Sequence, residues 1–167
     1  HYYYNNWDFN VAGAIFEQET GRSIFEAFRT EIAEPLGMLG FDGPFRSITD
    51  EEEAPAPEID GFYQHETARS RFPAYHFRLS AHDLALYGQL MLDRGAWRDD
   101  QIVPAEWIDL STQPVSITNE RYGLAYGMLW GVLVPQESAS DRPSFYHTGV
   151  GVHMLAIYPS LNMLFVL

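Results

Sequence analysis

Two short groups of residues, one near each end of the chain, have side chains suited to hydrolytic chemistry. Tyr4 and Asn6 stand two positions apart before a predicted helix, and His147, Thr148 and Gly149 stand together in a predicted strand. A phenol has an ordinary pKa near ~10, so it accepts a proton at neutral pH only when positive charge lies close by. A carboxamide both donates and accepts hydrogen bonds, which suits it to hold a substrate amide. The first group is therefore a candidate half-site for proton transfer and substrate binding.

The nucleophile for such chemistry is not evident in the chain. Cleavage of an ester or amide by serine needs the attacking serine, a base and donors that stabilise the oxyanion. All 10 basic residues are arginine, so a Ser-x-x-Lys motif cannot occur in this chain. The Gly-x-Ser-x-Gly elbow of α/β-hydrolases is absent as well. We expect the nucleophile to lie upstream of His1, and we expect these residues alone to be inactive.

Sites built on metals or cysteine are disfavoured. His65-Glu66 matches the start of a zinc-binding His-Glu-x-x-His motif, but Arg69 stands where the second histidine belongs. The remaining histidines outside the candidate site show no ligand spacing, and the chain has no cysteine. We therefore expect no metal and no cofactor.

Composition and charge exclude several other classes of partner. The hydrophobic fraction of 46% and aromatic fraction of 15% predict a folded globule rather than a disordered tail. The formal charge of −13 repels nucleic acid and anionic lipid, so neither is expected as a partner. No stretch approaches the ~20 apolar residues of a membrane-spanning helix.

Helical signals dominate the first two thirds of the sequence. Periodicity, capping residues and glycine or proline stops predict four helices: residues 7–19, residues 23–35, residues 80–94 and residues 104–111. Residues 40–60 contain an acidic run from Asp50 to Glu53 and an Ala-Pro repeat, and they predict a solvated loop.

After residue 120 the hydrophobic period changes from that of a helix to that of a strand. Residues 122–134 predict a strand or bent strand, residues 145–148 a second strand, and residues 152–158 with 163–167 a hairpin. Helices followed by an antiparallel sheet predict an α+β fold. We expect a single partial domain over residues 1–167, mainly helical in 1–111 and sheet in 120–167. Because the last strand stops at Leu167 within an apolar run, we expect the domain to be incomplete at both ends.

Long stretches of the sequence resemble a known family. The residues that carry the resemblance are Tyr4-Asn5-Asn6-Trp7-Asp8-Phe9-Asn10-Val11-Ala12-Gly13, Pro35-Leu36-Gly37-Met38, Leu79-Ser80-Ala81-His82-Asp83-Leu84-Ala85 and Tyr87-Gly88-Gln89-Leu90-Met91-Leu92. Together they resemble the penicillin-recognising serine hydrolases, in particular class C β-lactamases and the related family VIII esterases. His147-Thr148-Gly149 stands in the place of that family's Lys-Thr-Gly motif, where histidine is a known variant.

The resemblance implies roles for six residues. Tyr4, Asn6 and His147 would be catalytic, with Tyr4 sharing proton transfer with an upstream lysine. Thr148, Gly149 and Val150 would bind substrate: the threonine by its hydroxyl, the glycine by leaving space for substrate, and Val150 by an oxyanion-stabilising N–H.

His147, the first residue of the His147-Thr148-Gly149 motif, bears on which activity within the family the resemblance implies. Neutral histidine supplies less positive charge than lysine to hold a β-lactam carboxylate. The resemblance therefore implies an esterase, amidase or D-amino-acid peptidase that acts on a small ester, amide or β-lactam-like substrate. The alternative is a non-catalytic recognition or scaffold domain. The resemblance also favours a periplasmic or secreted protein, and another segment or chain would supply the missing N-terminal part.

Overall fold

The computed structural model describes residues 2–49, 59–134, 142–149 and 151–167. The chain forms two compact units. The first unit runs from Tyr3 to Asp83, and the second contains Leu84–Leu167 together with Tyr2. Each unit has helices and its own β-sheet, so the α+β class predicted from the sequence is confirmed.

The first unit begins with helix α1, Trp7–Thr20, as the sequence predicts. Gly21 ends it with a left-handed φ of 67°, and its N–H donates to the carbonyl oxygen of Glu17 at 2.9 Å. Glycine adopts this conformation without the steric cost that a Cβ would bring, so it stops the helix at this position.

The second predicted helix is also present, but it is not regular. Ser23 caps its first turn, because the serine Oγ accepts a hydrogen bond from a backbone N–H of α2, Ile24–Phe28. The chain continues through a π-helical turn, Arg29–Ala33, into α3, Glu34–Leu36. Gly37 then ends the segment with φ 72°.

A three-stranded sheet completes the first unit and was not predicted. Its strands are β1, Phe45–Thr49, β2, Gly61–His65, and β3, Ala74–Phe77, in the order β1-β2-β3. β1 is parallel to β2, and β3 is antiparallel to β2. The prediction of a loop over residues 40–60 is thus wrong for β1. The acidic run Asp50–Glu53 lies outside the described residues.

Packing around one phenylalanine holds this sheet against the helices. The ring of Phe25 is buried, and its centroid lies 4.9 Å from that of Phe45, 4.7 Å from Tyr63 and 4.9 Å from Phe77. Gly61 is required beside it, because a Cβ there would lie 2.5 Å from the Phe25 ring. Aromatic contacts between elements distant in sequence thus build this core.

Two helices and a short hairpin open the second unit. The helices are α4, Ala81–Leu92, which carries the chain out of the first unit, and α5, Ala105–Ser111; both are predicted by the sequence. Between them lie the two-residue strands β4, Ala96–Trp97, and β5, Asp100–Gln101. No helix among the described residues is long and apolar enough to cross a membrane.

A six-stranded sheet forms the rest of the second unit, and every neighbouring pair in it is antiparallel. Its strands are β6, Ser116–Asn119, β7, Leu124–Tyr126, β8, Gly131–Leu133, β9, Ser144–Gly149, β10, His153–Tyr158, and β11, Met163–Val166. The sheet order is β11-β10-β9-β8-β7-β6. The predicted strand at 145–148 and the predicted hairpin of β10 and β11 are confirmed.

The prediction of one strand over residues 122–134 is wrong, because a turn divides it into β7 and β8. At this turn the N–H of Gly127 donates to the carbonyl oxygen of Trp130 at 2.8 Å, and Leu129 has a φ of 65°. Gly127 is needed because a Cβ there would lie 2.5 Å from the carbonyl oxygen of Ser111.

The core of the second unit lies between its two helices and one face of the sheet. The buried apolar residues at its centre are Met91, Leu92, Ile108, Ala125, Trp130, Val132, Phe145, Leu155 and Ile157. β9, which carries the predicted histidine motif, is therefore an interior strand of a sheet with a packed face.

Candidate active site

The first candidate half-site, Tyr4 and Asn6, lies in the first unit just before α1. The Tyr4 hydroxyl donates a hydrogen bond to Asn6 Oδ1 at 2.9 Å, so the two predicted residues are in direct contact. The Tyr4 side chain is about half exposed, at 53%.

The helix cap next to this pair is supplied by a different residue. Asn6 precedes α1 but has helical φ and ψ, and its side chain makes no capping hydrogen bond. Instead, Asn5 Oδ1 accepts a hydrogen bond from the Trp7 N–H at 3.0 Å. The Asn6 side chain therefore does not cap the helix, and its carboxamide oxygen accepts the hydrogen bond from Tyr4 instead.

Glu17, on the same helix, anchors α1 within the first unit. Its carboxylate accepts hydrogen bonds from the Tyr63 hydroxyl, from the Ile24 N–H at 2.9 Å and from the Tyr75 hydroxyl at 3.4 Å. One side chain thus joins α1 to the start of α2 and to two strands of the sheet. Gly13 lets Tyr75 approach, because a Cβ there would lie 2.4 Å from the tyrosine ring.

The two tyrosines that face Glu17 stay protonated donors. Burial, followed by the nearby Glu17 carboxylate, raises the pKa of Tyr75 to about 12. Burial also raises the pKa of Tyr63, and the hydrogen bond to Glu17 adds to the shift. These phenols are therefore structural donors rather than bases, unlike the role the resemblance implies for Tyr4.

The second candidate half-site lies in the second unit, where His147, Thr148 and Gly149 are the last three residues of β9. The His147 ring packs against the indole of Trp130, with ring centroids 3.8 Å apart and planes tilted by 44°. Trp130 is itself buried, and its ring meets that of Phe145 edge-on at 5.1 Å. The imidazole is thus held against the core of the unit.

This packing determines the charge of the histidine. Burial lowers the pKa of His147 to about 4, from an ordinary value of 6.5. At neutral pH the imidazole is uncharged, with one ring nitrogen as a donor and the other as an acceptor. The motif therefore contributes a hydrogen-bonding group and no positive charge.

The residues that follow His147 are more open. Thr148 and Gly149 are exposed. Within the described part of the chain, a Cβ on Gly149 would meet the Cβ of His153 at the ordinary contact distance of 3.4 Å. Packing among the described residues thus does not require glycine here. Val150, the predicted oxyanion donor, lies outside the described residues.

The similarity of this sequence to a known family extends over the whole chain. The family model described as Beta-lactamase matches residues 1–167. The chain belongs to the beta-lactamase family. No curated protein sequence matches it significantly.

Solved structures of this family's fold are similar to the chain over most of its length. A penicillin-binding protein from Bacillus halodurans has 16% identity and a TM-score of 0.67, over 99% of this chain and 51% of that protein. A D-stereospecific amidohydrolase from Streptomyces has 17% identity and a TM-score of 0.53, over 98% of this chain and 48% of that protein. An octameric penicillin-binding protein homologue from Pyrococcus abyssi has 22% identity and a TM-score of 0.55, over 93% and 35%. The chain thus has a hydrolase-like fold of the beta-lactamase family and spans about a third to a half of these proteins.

Among the described residues, no group of three or more histidine, aspartate or glutamate side chains could hold a metal ion.

Two residues that support the candidate site were not identified from the sequence. They are Glu17, which anchors α1 by its hydrogen bonds, and Trp130, which packs against His147. Neither has a local signal, because each acts through partners far away in the chain.

Proposed function

We propose that the protein is a serine hydrolase that cleaves an ester or amide bond through an acyl-enzyme, with the nucleophilic serine supplied from outside these residues. The supporting observation is the hydrogen-bonded pair of Tyr4 and Asn6, in a chain that matches the beta-lactamase family over its whole length. No lysine occurs in the chain, so a Ser-x-x-Lys motif would have to lie elsewhere in the polypeptide.

Tyr4 and Asn6 would act at the scissile bond. In the acylation step the serine oxygen bonds to the carbonyl carbon, and the bond to the leaving alcohol or amine breaks. The serine proton passes through the Tyr4 oxygen to that leaving group, and an upstream lysine would supply the charge that makes the phenol basic. Water then attacks the acyl-enzyme and releases the acid. The amide of Asn6, which already accepts from Tyr4, would donate to the substrate.

The second motif would bind the same substrate. His147 would hydrogen-bond the substrate as a neutral donor, Thr148 would bind a carbonyl or carboxylate, and the Val150 N–H would stabilise the oxyanion. The exposed Gly149, which local packing does not require to be glycine, would leave room for the substrate.

The neutral histidine favours one class of activity within the family. A β-lactam carries a carboxylate, and an uncharged imidazole holds it less strongly than a lysine would. We therefore favour an esterase, amidase or D-peptidase over a β-lactamase. An amidohydrolase is among the proteins with a similar fold, which is in keeping with an amide substrate.

The test uses the full-length protein encoded by the gene. We expect one fluorophosphonate label by intact mass, together with turnover of a nitrophenyl ester. Tyr4→Phe should lower kcat by about 100-fold or more, the usual scale for loss of a proton-transfer group. Tyr3→Phe is the matched control, since Tyr3 is 84% exposed and outside the motif, and it should retain full rate.

The competing function is a non-catalytic recognition or scaffold domain, in which no Ser-x-x-Lys motif would occur anywhere in the full polypeptide. Full-length protein that takes no covalent label and turns over no ester, yet binds a penicillin reversibly, would establish that function and overturn ours. Turnover by residues 1–167 alone would overturn the role that we give to an outside serine.

A further inference from the structure

The turn between β2 and β3, in the first unit, is held by hydrogen bonds among its own residues. The N–H groups of Arg69 and Ser70 both donate to the carbonyl oxygen of Glu66, at 2.8 and 2.9 Å. The N–H of Phe72 then donates to Ser70 Oγ at 3.0 Å. These bonds shape the turn and fix the direction in which residues 71 and 72 leave it.

Only one of the two arginines in this turn has an acidic partner. Arg69 pairs with Glu66 at 2.8 Å, and the other oxygen of that carboxylate accepts from Gln64 at 2.8 Å. Arg71 is exposed, and it has no ion pair within residues 2–49, 59–134, 142–149 and 151–167. Its guanidinium lies over the Phe72 ring, with Cζ 5.0 Å from the ring centroid.

The aromatic ring under Arg71 connects this turn to the candidate site. Phe72 meets the ring of Trp7 edge-on, with centroids 5.9 Å apart. Trp7 immediately follows Asn6 in the chain and is 47% exposed. Trp7 and Phe72 therefore form a partly exposed aromatic surface that starts at the residue after Asn6, and Arg71 lies on the Phe72 end of that surface.

We propose that Arg71 binds a free carboxylate on the substrate, with Trp7 and Phe72 packing against the apolar segment between that carboxylate and the scissile bond. This inference rests on the proposed function, in which Tyr4 and Asn6 act at the scissile bond. It makes Arg71 a specificity-determining residue.

Three physical arguments support this assignment. A guanidinium matches a carboxylate with two parallel N–H donors, and stacking on a ring restrains its orientation before the ligand arrives. The chain has a formal charge of −13, so an anionic substrate needs a local cation to overcome general repulsion. His147 supplies no charge at neutral pH, so the histidine motif does not meet this need.

The test compares charged and neutral substrates on the full-length protein. The charged series is the mono-nitrophenyl esters of linear dicarboxylic acids of increasing length, and the neutral series is nitrophenyl esters of matched monocarboxylic acids. Arg71→Gln should lower kcat/KM for the best charged ester by about tenfold, as expected for loss of a charge-assisted hydrogen bond. It should leave the neutral esters within twofold. Added salt should reduce the preference of the native protein for charged esters.

Arg69→Gln is the matched control, because Arg69 has the same charge two residues away but is already paired with Glu66. It should leave both series unchanged. An equal effect of the two substitutions would mean that only general charge matters and would overturn the proposal. No change in Arg71→Gln would overturn it as well.

A separate binding measurement distinguishes failure of this inference from failure of the proposed function. If the full-length protein takes no fluorophosphonate label and hydrolyses neither an ester nor an amide, the hydrolase assignment fails. Calorimetry then compares a dicarboxylic acid mono-anilide with its methyl ester. Tighter binding of the free acid, lost in Arg71→Gln and kept in Arg69→Gln, would still support the carboxylate subsite. Absence of that preference would overturn it.

Discussion

Tyr4 and His147 are both ring side chains of candidate motifs, but their surroundings differ. Tyr4 is half exposed and is oriented by a hydrogen bond to a residue two positions away. His147 is packed against a buried indole and lies in an interior strand of the six-stranded sheet. The orientation of the Tyr4 side chain therefore depends on a local hydrogen bond to Asn6. His147 has its protonation state set by the core on which it packs.

The largest expected effect comes from the two tryptophans beside these motifs. Trp130→Ala should lower the free energy of unfolding by about 3–5 kcal/mol, because it leaves a cavity in the core. Trp7→Ala should cost only about 1 kcal/mol, since Trp7 is half exposed and loses mainly the edge contact with Phe72. Urea unfolding of the two variants measures the difference. Equal losses would contradict the contrast between the two environments.

The second test is the pH dependence that His147 brings to stability. The pKa of His147 is about 4 in the folded protein and near 6.5 without burial. Between these values the unfolded chain binds more protons, so stability present above pH 6.5 is lost as the pH falls toward 4. The loss should be roughly 2 kcal/mol after allowance for the partial exposure of the ring. Unfolding free energies at several pH values measure it.

His147→Gln is the control for this pH effect. Glutamine keeps a donor and an acceptor but does not titrate, so its stability should fall less over the same pH range. A native protein whose stability falls no more than that of the variant would show that the imidazole is not desolvated as described.

Glycine replacements give the third contrast. Gly13→Ala should destabilise the protein by about 1–3 kcal/mol, because the new Cβ overlaps the Tyr75 ring and overpacks the interface. Gly149→Ala should change stability by less than about 0.5 kcal/mol, as is usual at an uncrowded surface position. Thermal unfolding compares the two. If Gly149→Ala is stable but slow in ester turnover by the full-length protein, the glycine serves the substrate.

The smallest expected effect on stability separates two adjacent asparagines. Asn5→Ala should cost about 1 kcal/mol, because the Trp7 N–H loses its capping acceptor. Asn6→Ala should cost less, since its side chain does not cap the helix. For ester turnover by the full-length protein, the proposed function predicts the reverse order, with Asn6→Ala reducing kcat/KM more than Asn5→Ala. Parallel melting curves and ester assays check both halves of this prediction.

Much of the helical structure could be predicted because its signals are local. Gly21 after α1 and Ser23 before α2 specify helix ends through their own backbone and side-chain chemistry. The sheet of the first unit could not be predicted in the same way. Only Ile48 of β1 is buried, so the strand shows no alternating pattern. Its position depends instead on contacts with Phe25, which lies far away in the sequence.

The residues of the candidate site were named from the family resemblance, and their roles stay predictions. The structure adds that Tyr4 and Asn6 are in direct contact, which the sequence alone does not show. The packing of Trp130 on His147 depends on the pairing of β8 with β9 and on the turn that separates β7 from β8. Because that turn exists through a tertiary approach of Gly127 to Ser111, the sequence pattern alone shows a continuous strand.

The neighbouring asparagines before α1 have a consequence for how this protein could evolve. Because the Asn5 side chain accepts the capping hydrogen bond at the start of α1 and the Asn6 side chain does not, we expect substitutions at position 6 to leave the helix folded. A saturation library at position 6 should therefore retain soluble expression across most substitutions while its members diverge in substrate preference. Substitutions at position 6 could therefore change substrate preference during evolution without loss of the fold.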